Sequence, residues 1–244
     1  MKLTSTDLQK LRIALLASKL AGLDDVVISE GQLRGLHPGK NAAVLSTLEL
    51  SIDPAISIGI KRVSELVKRL NMFGEDVLVE GEVTDAKKVR RLSMRGKGAS
   101  KIEFRCTDEK MITYPKTNTD ESGMVLTFTR PEVALISKGV TILGVDKLTL
   151  QIKRDGSVHL ECRDTNADGF ETDLATAAEY VDDAYPYVNA FDTTNNGVFL
   201  ALLEHMVKDS DTAELVVMRS GNISMKSYGH QVFAIPRIEN GNQT

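Results

Sequence analysis

The chain has 244 residues, 42% hydrophobic and 26% charged, with a formal net charge of −4. That length buries a proper core and those fractions are globular values, which excludes a disordered chain, a collagenous repeat and a disulfide-stapled miniprotein. No run reaches the ~18 apolar residues of a membrane span, and the stretch Met1 to Asp7 lacks the apolar core of a signal peptide. With Cys106 and Cys162 far apart and no pairing partner nearby, the expectation is a soluble intracellular protein with two structural thiols and no membrane partner.

The first predicted helix runs from Thr4 to Ala21, with Thr4, Ser5 and Thr6 as capping candidates and Asp7 suited to its positive end. Gly22 stops it. Short strand-like runs follow at Val26–Ile28, Gln32–Arg34, Ala43–Leu45 and Ala55–Ile60, punctuated by Gly31, Pro38-Gly39 and Asp53-Pro54. A second helix is expected over Lys61–Phe73, because Val63, Leu66, Val67 and Leu70 form one apolar stripe. Lys61, Glu65 and Lys68 project to the opposite side, flanked by Arg62 and Arg69. Strands are then expected at Val77–Glu80, Val89–Met94 and Lys101–Cys106.

The polar stretch Thr107–Gly123 reads as a linker, after which the same order of elements starts again. Thr129-Arg130-Pro131-Glu132 is a capping box with proline at the first helical position. Strands follow at Leu148–Lys153, Val158–Cys162, Phe170–Ala175 and Tyr187–Phe191, then a helix over Gly197–Lys208. Three strands close the chain, at Ala213–Arg219, Ile223–Tyr228 and Gln231–Ile235. The pattern is a repeat of architecture rather than of sequence: α+β, two similar domains, each with two helices on antiparallel strands. The expected boundaries are 1–107, a linker over 108–123, and 124–244.

No catalytic constellation emerges. Asp164 to Gly169 matches the front of a calcium loop, but position twelve is Ala175, and a hairpin turn accounts for it better. Gly35–Lys40 has the wrong spacing for a phosphate loop, and there is no Gly-x-Ser-x-Gly elbow. His37, His159, His205 and His230 are scattered, with no cysteine cluster for zinc. The expectation is a non-enzyme with no cofactor and no metal.

Charge is more informative. Residues 1–120 hold 20 Lys and Arg against 16 Asp and Glu, whereas residues 121–244 hold 10 against 18. Such asymmetry hints at nucleic-acid contact or at halves that meet each other. Arg12 and Lys19 sit seven apart on the first helix, although Leu8 and Leu15 lie close to the same direction. A second basic cluster comprises Lys87, Lys88, Arg90, Arg91, Arg95, Lys97, Lys101 and Arg105. Aromatics number 12 and Trp is absent, so backbone contacts to duplex fit better than base stacking.

At this point the sequence resembles the DNA sliding clamps, of the tailed-phage type related to proliferating cell nuclear antigen. The resemblance rests on the element order of the whole chain, on Met1-Lys2-Leu3-Thr4 leading straight into a helix, and on the closing Tyr228 to Glu239 with its Pro-basic-Ile-Glu tail. It implies two DNA-clamp domains per chain and a head-to-tail homotrimer forming a ring around duplex DNA, with no sequence specificity. Such a ring tethers a replicative DNA polymerase, needs an ATP-dependent clamp loader, hydrolyses nothing itself and carries an acidic exterior. A phage-encoded clamp would work in the cytoplasm of an infected bacterial host.

The resemblance implies that Arg12, Lys19, Lys61, Arg62, Lys68, Arg69 and Lys138 face DNA, with Arg130 and Lys208 as further candidates. The fourth helix is a poor basic face, because Glu204 and His205 accompany Lys208. It further implies a partner-peptide pocket at Tyr114, Pro115, Ala234, Ile235 and Pro236. The subunit edges would carry Lys101 and Arg105 on one side, Glu171 and Asp173 on the other. Two other readings stand beside this one: a monomeric DNA-binding processivity subunit, and a non-DNA assembly protein whose basic faces are merely solvated.

Overall fold

The computed structural model describes residues 1–39, 42–74, 77–98, 100–115, 122–145, 148–153, 155–164, 166, 168–181, 190–192, 196–219, 223–227 and 230–234. The chain divides into two compact units, Met1–Asn118 and Thr119–Thr244. Unit one contains β1 (Lys2–Leu3), α1 (Ser5–Leu20), β2 (Asp25–Ser29), β3 (Gln32–Leu36), β4 (Ala42–Thr47) and β5 (Ile58–Lys61). It continues with α2 (Val63–Met72), β6 (Leu78–Val83), β7 (Val89–Arg95) and β8 (Lys101–Arg105). Its strands pair antiparallel in the orders β1-β6-β7-β8 and β4-β3-β2-β5.

Unit two repeats that order. It contains β9 (Ser122–Thr129), α3 (Arg130–Leu143), β10 (Thr149–Ile152), β11 (Ser157–Arg163), β12 (Gly169–Tyr180) and β13 (Ala190–Asp192). Then come α4 (Asn196–Ser210), β14 (Thr212–Met218), β15 (Ile223–Ser227) and β16 (His230–Ala234), in the sheet order β13-β10-β11-β12-β9-β14-β15-β16. Each unit is strand, helix, four strands, helix, three strands. In each, the opening strand pairs with the strand that follows the second helix, β1 with β6 and β9 with β14.

Three differences from the sequence reading matter. Lys61 closes β5, and α2 begins at Val63, because Arg62 takes a left-handed conformation (φ 63°) and supplies no side-chain cap. The Val63 N–H is satisfied by the Asp24 carbonyl at 2.9 Å. Strand β9 occupies the end of the expected linker, and its alternation of buried Met124, Leu126 and Phe128 with Val125 and Thr127 is the period of a strand. Finally, Asp108 to Pro115 packs within unit one: Lys88 pairs with Asp108 at 2.7 Å, Ser57 Oγ bonds Glu109, and Arg34 lies over the Tyr114 ring.

The opening helices share one device. In α1, Thr4 N–H donates to Asp7 Oδ2 (2.8 Å), Asp7 N–H donates to Thr4 Oγ1 (3.2 Å), and Ser51 N–H donates to Asp7 Oδ1 (2.8 Å). In α3, Glu132 Oε2 accepts from the Thr129 N–H (2.9 Å) and hydroxyl (2.8 Å), while Oε1 accepts the Thr176 N–H (2.8 Å). Each capping acid therefore also tethers a distant stretch of its own unit. Thr176 is where β12 leaves β9: their ladder spans only Ala178–Tyr180, and at Thr176 the side-chain hydroxyl reaches the Thr127 carbonyl (2.7 Å) instead.

Candidate nucleic-acid interface

In unit one, α1 packs against α2, burying Leu8, Leu11 and Leu15 together with Val63, Leu66, Val67 and Leu70. Of the cations expected to face DNA, Arg12 is half-buried and donates to the carbonyls of Leu70 (2.8 Å) and Gly74. Those are orphan acceptors at the negative end of α2, so Arg12 caps that helix instead of facing solvent. Lys61 lies 3.8 Å from Asp25 at the end of β5.

Arg62 and Arg69 both sit over the ring of Phe104, each with its guanidinium carbon 5.4 Å from the centroid. Arg69 also donates to the Glu103 carbonyl (2.8 Å), and both arginines reach Glu65, at 3.5 and 3.1 Å. They brace α2 onto β8. Lys19 and Lys68 remain exposed, with no ion pair or hydrogen bond among the described residues.

In unit two, Arg130 repeats what Arg12 does: it donates to the carbonyls of Val207 (3.2 Å) and Lys208 (2.6 Å) at the end of α4, and pairs with Asp211 at 2.7 Å. Glu204 is held by the Ser137 hydroxyl at 2.5 Å, and His205 is buried. Lys138 and the Lys208 side chain stay exposed and unpaired. Among the described residues, each helix thus offers one uncommitted lysine, Lys19, Lys68, Lys138 and Lys208. Leu135 and Ile142 are exposed on α3, so that helix is mixed rather than uniformly basic.

The second basic cluster separates. Lys87 pairs with Asp53 (2.9 Å) and Lys88 with Asp108, beside the β6–β7 turn. Arg91, Arg95, Lys101 and Arg105 lie on the exposed face of the β1-β6-β7-β8 sheet, opposite the face that buries Val79, Leu92, Met94 and Phe104. Lys2 of β1 joins them. The basic cluster over Lys87–Arg105 was legible in the sequence; the contribution of Lys2 was not, since a two-residue strand has no periodic signature.

A groove of about 800 Å³ within unit one gathers Arg34, Ser57, Lys88, Glu109, Ile112 and Tyr114. The Tyr114 ring lies 4.7 Å from the guanidinium of buried Arg34, whose Nη2 donates to Ser29 Oγ at 2.7 Å. Pro115 follows, half-buried. Ala234 stands in β16 opposite Ile223, in unit two; Ile235 and Pro236 lie outside the described residues. The place of Arg34 in this groove was not legible in the sequence, because the ring it lies over, Tyr114, comes from a distant part of the chain.

The expected subunit edges are strand edges. β8 is the last strand of its sheet, with Lys101 and Arg105 on its exposed side. β12 pairs with β11 on one side, and from Gly169 to Ala175 its other side has no ladder partner among the described residues. Glu171 and Asp173 share the exposed side of β12, bound to Arg163 (2.6 Å) and His159 (2.9 Å) of β11. The His159 hydrogen bond holds the Asp173 carboxyl below its ordinary range.

Among the described residues no cluster of three or more His, Cys, Asp or Glu could hold a metal, and no helix is long and apolar enough to cross a membrane. Asp164 accepts the N–H groups of Asn166 and Asp168, both at 2.8 Å, in the turn that joins β11 to β12. Burial pushes the Cys106 thiol up to about 12 and raises that of Cys162, so neither is a nucleophile at neutral pH.

No protein-family model matches the chain, and no curated protein matches it in sequence. Solved structures do match. Among them is the crystal structure of the proliferating cellular nuclear antigen of Entamoeba histolytica, at a TM-score of 0.68 and 14% identity, covering 97% of each chain. At that identity the likeness is one of fold. The chain has the α+β clamp fold of that antigen over 97% of its length, with antiparallel sheets and four α-helices among its described residues.

Proposed function

We propose that this chain is a DNA sliding clamp, a non-enzymatic processivity factor that encircles duplex DNA and tethers a replicative polymerase. The observation that carries the reading is the end-to-end match of a twice-repeated architecture to a nuclear-antigen fold. One uncommitted lysine on each helix supports it, since a clamp must attract phosphates weakly and without reading sequence. On this reading Lys19, Lys68, Lys138 and Lys208 make the DNA contacts, with Arg62 at their margin. Arg12, Arg69 and Arg130 hold the helices, and Lys61 sits with Asp25.

The finer proposal is a homotrimer, opened by an ATP-dependent loader and encoded by a phage acting in a bacterial cytoplasm. The resemblance of Met1-Lys2-Leu3-Thr4, leading straight into a helix, supports the phage type. The edge of β8 would meet the free stretch of β12 in the next copy. Partner peptides would dock at Tyr114, Pro115, Ala234, Ile235 and Pro236. Sedimentation across a concentration series should give a species near three times 26.7 kDa. The same protein should stay on circular duplex and run off the linearised form. Equal retention on both, in a persistent monomer, would sink the proposal.

The paired edges make a second expectation. E171K/D173K should raise the trimer's dissociation constant by roughly tenfold, since rim charges contribute about 1 kcal/mol or less apiece. Sedimentation equilibrium would read the change, with E171Q/D173N as the control for losing the Arg163 and His159 contacts.

A further inference from the structure

The outer face of the unit-one sheet is cationic, although a clamp's exterior was expected to be acidic. Lys2, Arg91, Arg95, Lys101 and Arg105 stand on it by the period-two alternation of their strands, among Glu80, Glu82 and Glu103. The register sets like charges directly opposite, Arg91 against Arg105 and Arg95 against Lys101, an arrangement that opposes pairing. Glu103 relieves part of this by binding Arg91 (2.7 Å) and Lys101 (2.6 Å).

A β-bulge adds a sixth cation. Glu82 pairs with Arg91 and Val83 with Val89, so Arg90 is the extra residue, and it too is exposed. Lys2, Arg90, Arg95 and Arg105 have no carboxylate within 4.0 Å among the described residues. Four cations on one face are therefore without a close ion pair among the described residues, although Glu80 stands opposite Lys2 in the register.

We propose that this face docks the phosphate backbone of a duplex DNA segment, separate from any duplex held by the helices. An acidic protein partner fits less well, because a specific protein interface needs an apolar or aromatic centre and the strands of this face present only the half-buried Leu78, opposite Arg95, and no aromatic residue. A single strand fits less well, because such strands are gripped by stacking bases on aromatic side chains, and this face has no aromatic residue. Arginine forks on a flat surface match phosphates with no further requirement. Within unit one, the inner face of this sheet takes Arg62 and Arg69 of α2 over Phe104, so the cations of the outer face stand on the opposite side of the sheet from α2 and its exposed Lys68.

The test uses the full chain and a fluorescent linear duplex in a salt titration, in a K19Q/K68Q/K138Q/K208Q background that lacks the helix lysines. Duplex binding should persist there, which separates this proposal from the ring reading. Adding K2Q/R90Q/R95Q, which leaves β8 untouched, should weaken binding about tenfold and flatten the log–log salt slope by about 2.7. K2R/R90K/R95K should keep the slope. No duplex binding in the background would overturn the proposal. So would an unchanged affinity and slope on neutralisation, or tighter binding of an oligothymidine or polyglutamate probe.

Discussion

Replacing Glu132 by alanine should destabilise unit two by about 3–5 kcal/mol, as the loss of a helix cap together with several charge-assisted hydrogen bonds. The size follows from what one carboxylate does. It caps α3 through Thr129 and accepts the Thr176 N–H at the point where β12 parts from β9. Without it that N–H has no ladder partner to return to, because the β12–β9 pairing begins only at Ala178. Urea unfolding would give the magnitude, and faster amide exchange at Thr176 would locate it. An effect below 1 kcal/mol would show that the tether is dispensable.

The same group carries a pH signature. Burial pushes the Glu132 carboxyl up, but hydrogen bonds from Thr129 and Thr176 more than offset this, and its pKa falls below the ordinary 4.5. A depressed folded-state pKa contributes stability that is fully present above about pH 4.5 and is lost as pH falls through the folded value. Asp7 adds a term of the same sign, since hydrogen bonds from Ser51 and Thr4 outweigh its burial. E132Q should therefore be less stable than the parent at pH 7, with the gap closing in acid.

Arg12→Ala should cost about 2–4 kcal/mol in folding, because a half-buried guanidinium leaves two helix-end carbonyls without a donor. Lys68→Ala, on the exposed side of α2, should stay within about 0.5 kcal/mol. Their effects on DNA retention should run the other way: Lys68→Ala weakens it, and Arg12→Ala leaves it unchanged at temperatures where the variant is folded. Paired thermal melts and retention on circular duplex would check this. A stable Arg12→Ala with weakened DNA contact would return Arg12 to the nucleic-acid surface.

Arg12 also shows where the sequence stopped speaking. Helical projection placed it beside Lys19 correctly, but a projection of one helix knows nothing of a second helix's carbonyls. Arg69 was misjudged for the same reason: its long side chain turns back to Phe104 and Glu103. Short side chains with local partners were legible, as with the Thr129–Glu132 box and the apolar stripe of α2. Asp7 was half legible, its cap readable from spacing and its bond to Ser51 not. The two-domain α+β class followed from element order, and the clamp fold from that order with the short matches at Met1–Thr4 and Tyr228–Glu239, although no family model matches the chain.

The bulge in β7 bears on what Arg90 is for. Counting back from buried Leu92, strict alternation would put Arg90 in the core and Val89 in water. The extra residue resets the phase, so Val89 is buried and Arg90 is not. Deleting Arg90 would leave Val89 and Arg91 as an unbroken alternation. The bond its carbonyl accepts from the Cys106 N–H could be made by any residue. The ladder gains nothing from the identity of this side chain, which leaves the position free to be shaped by whatever meets the outer face.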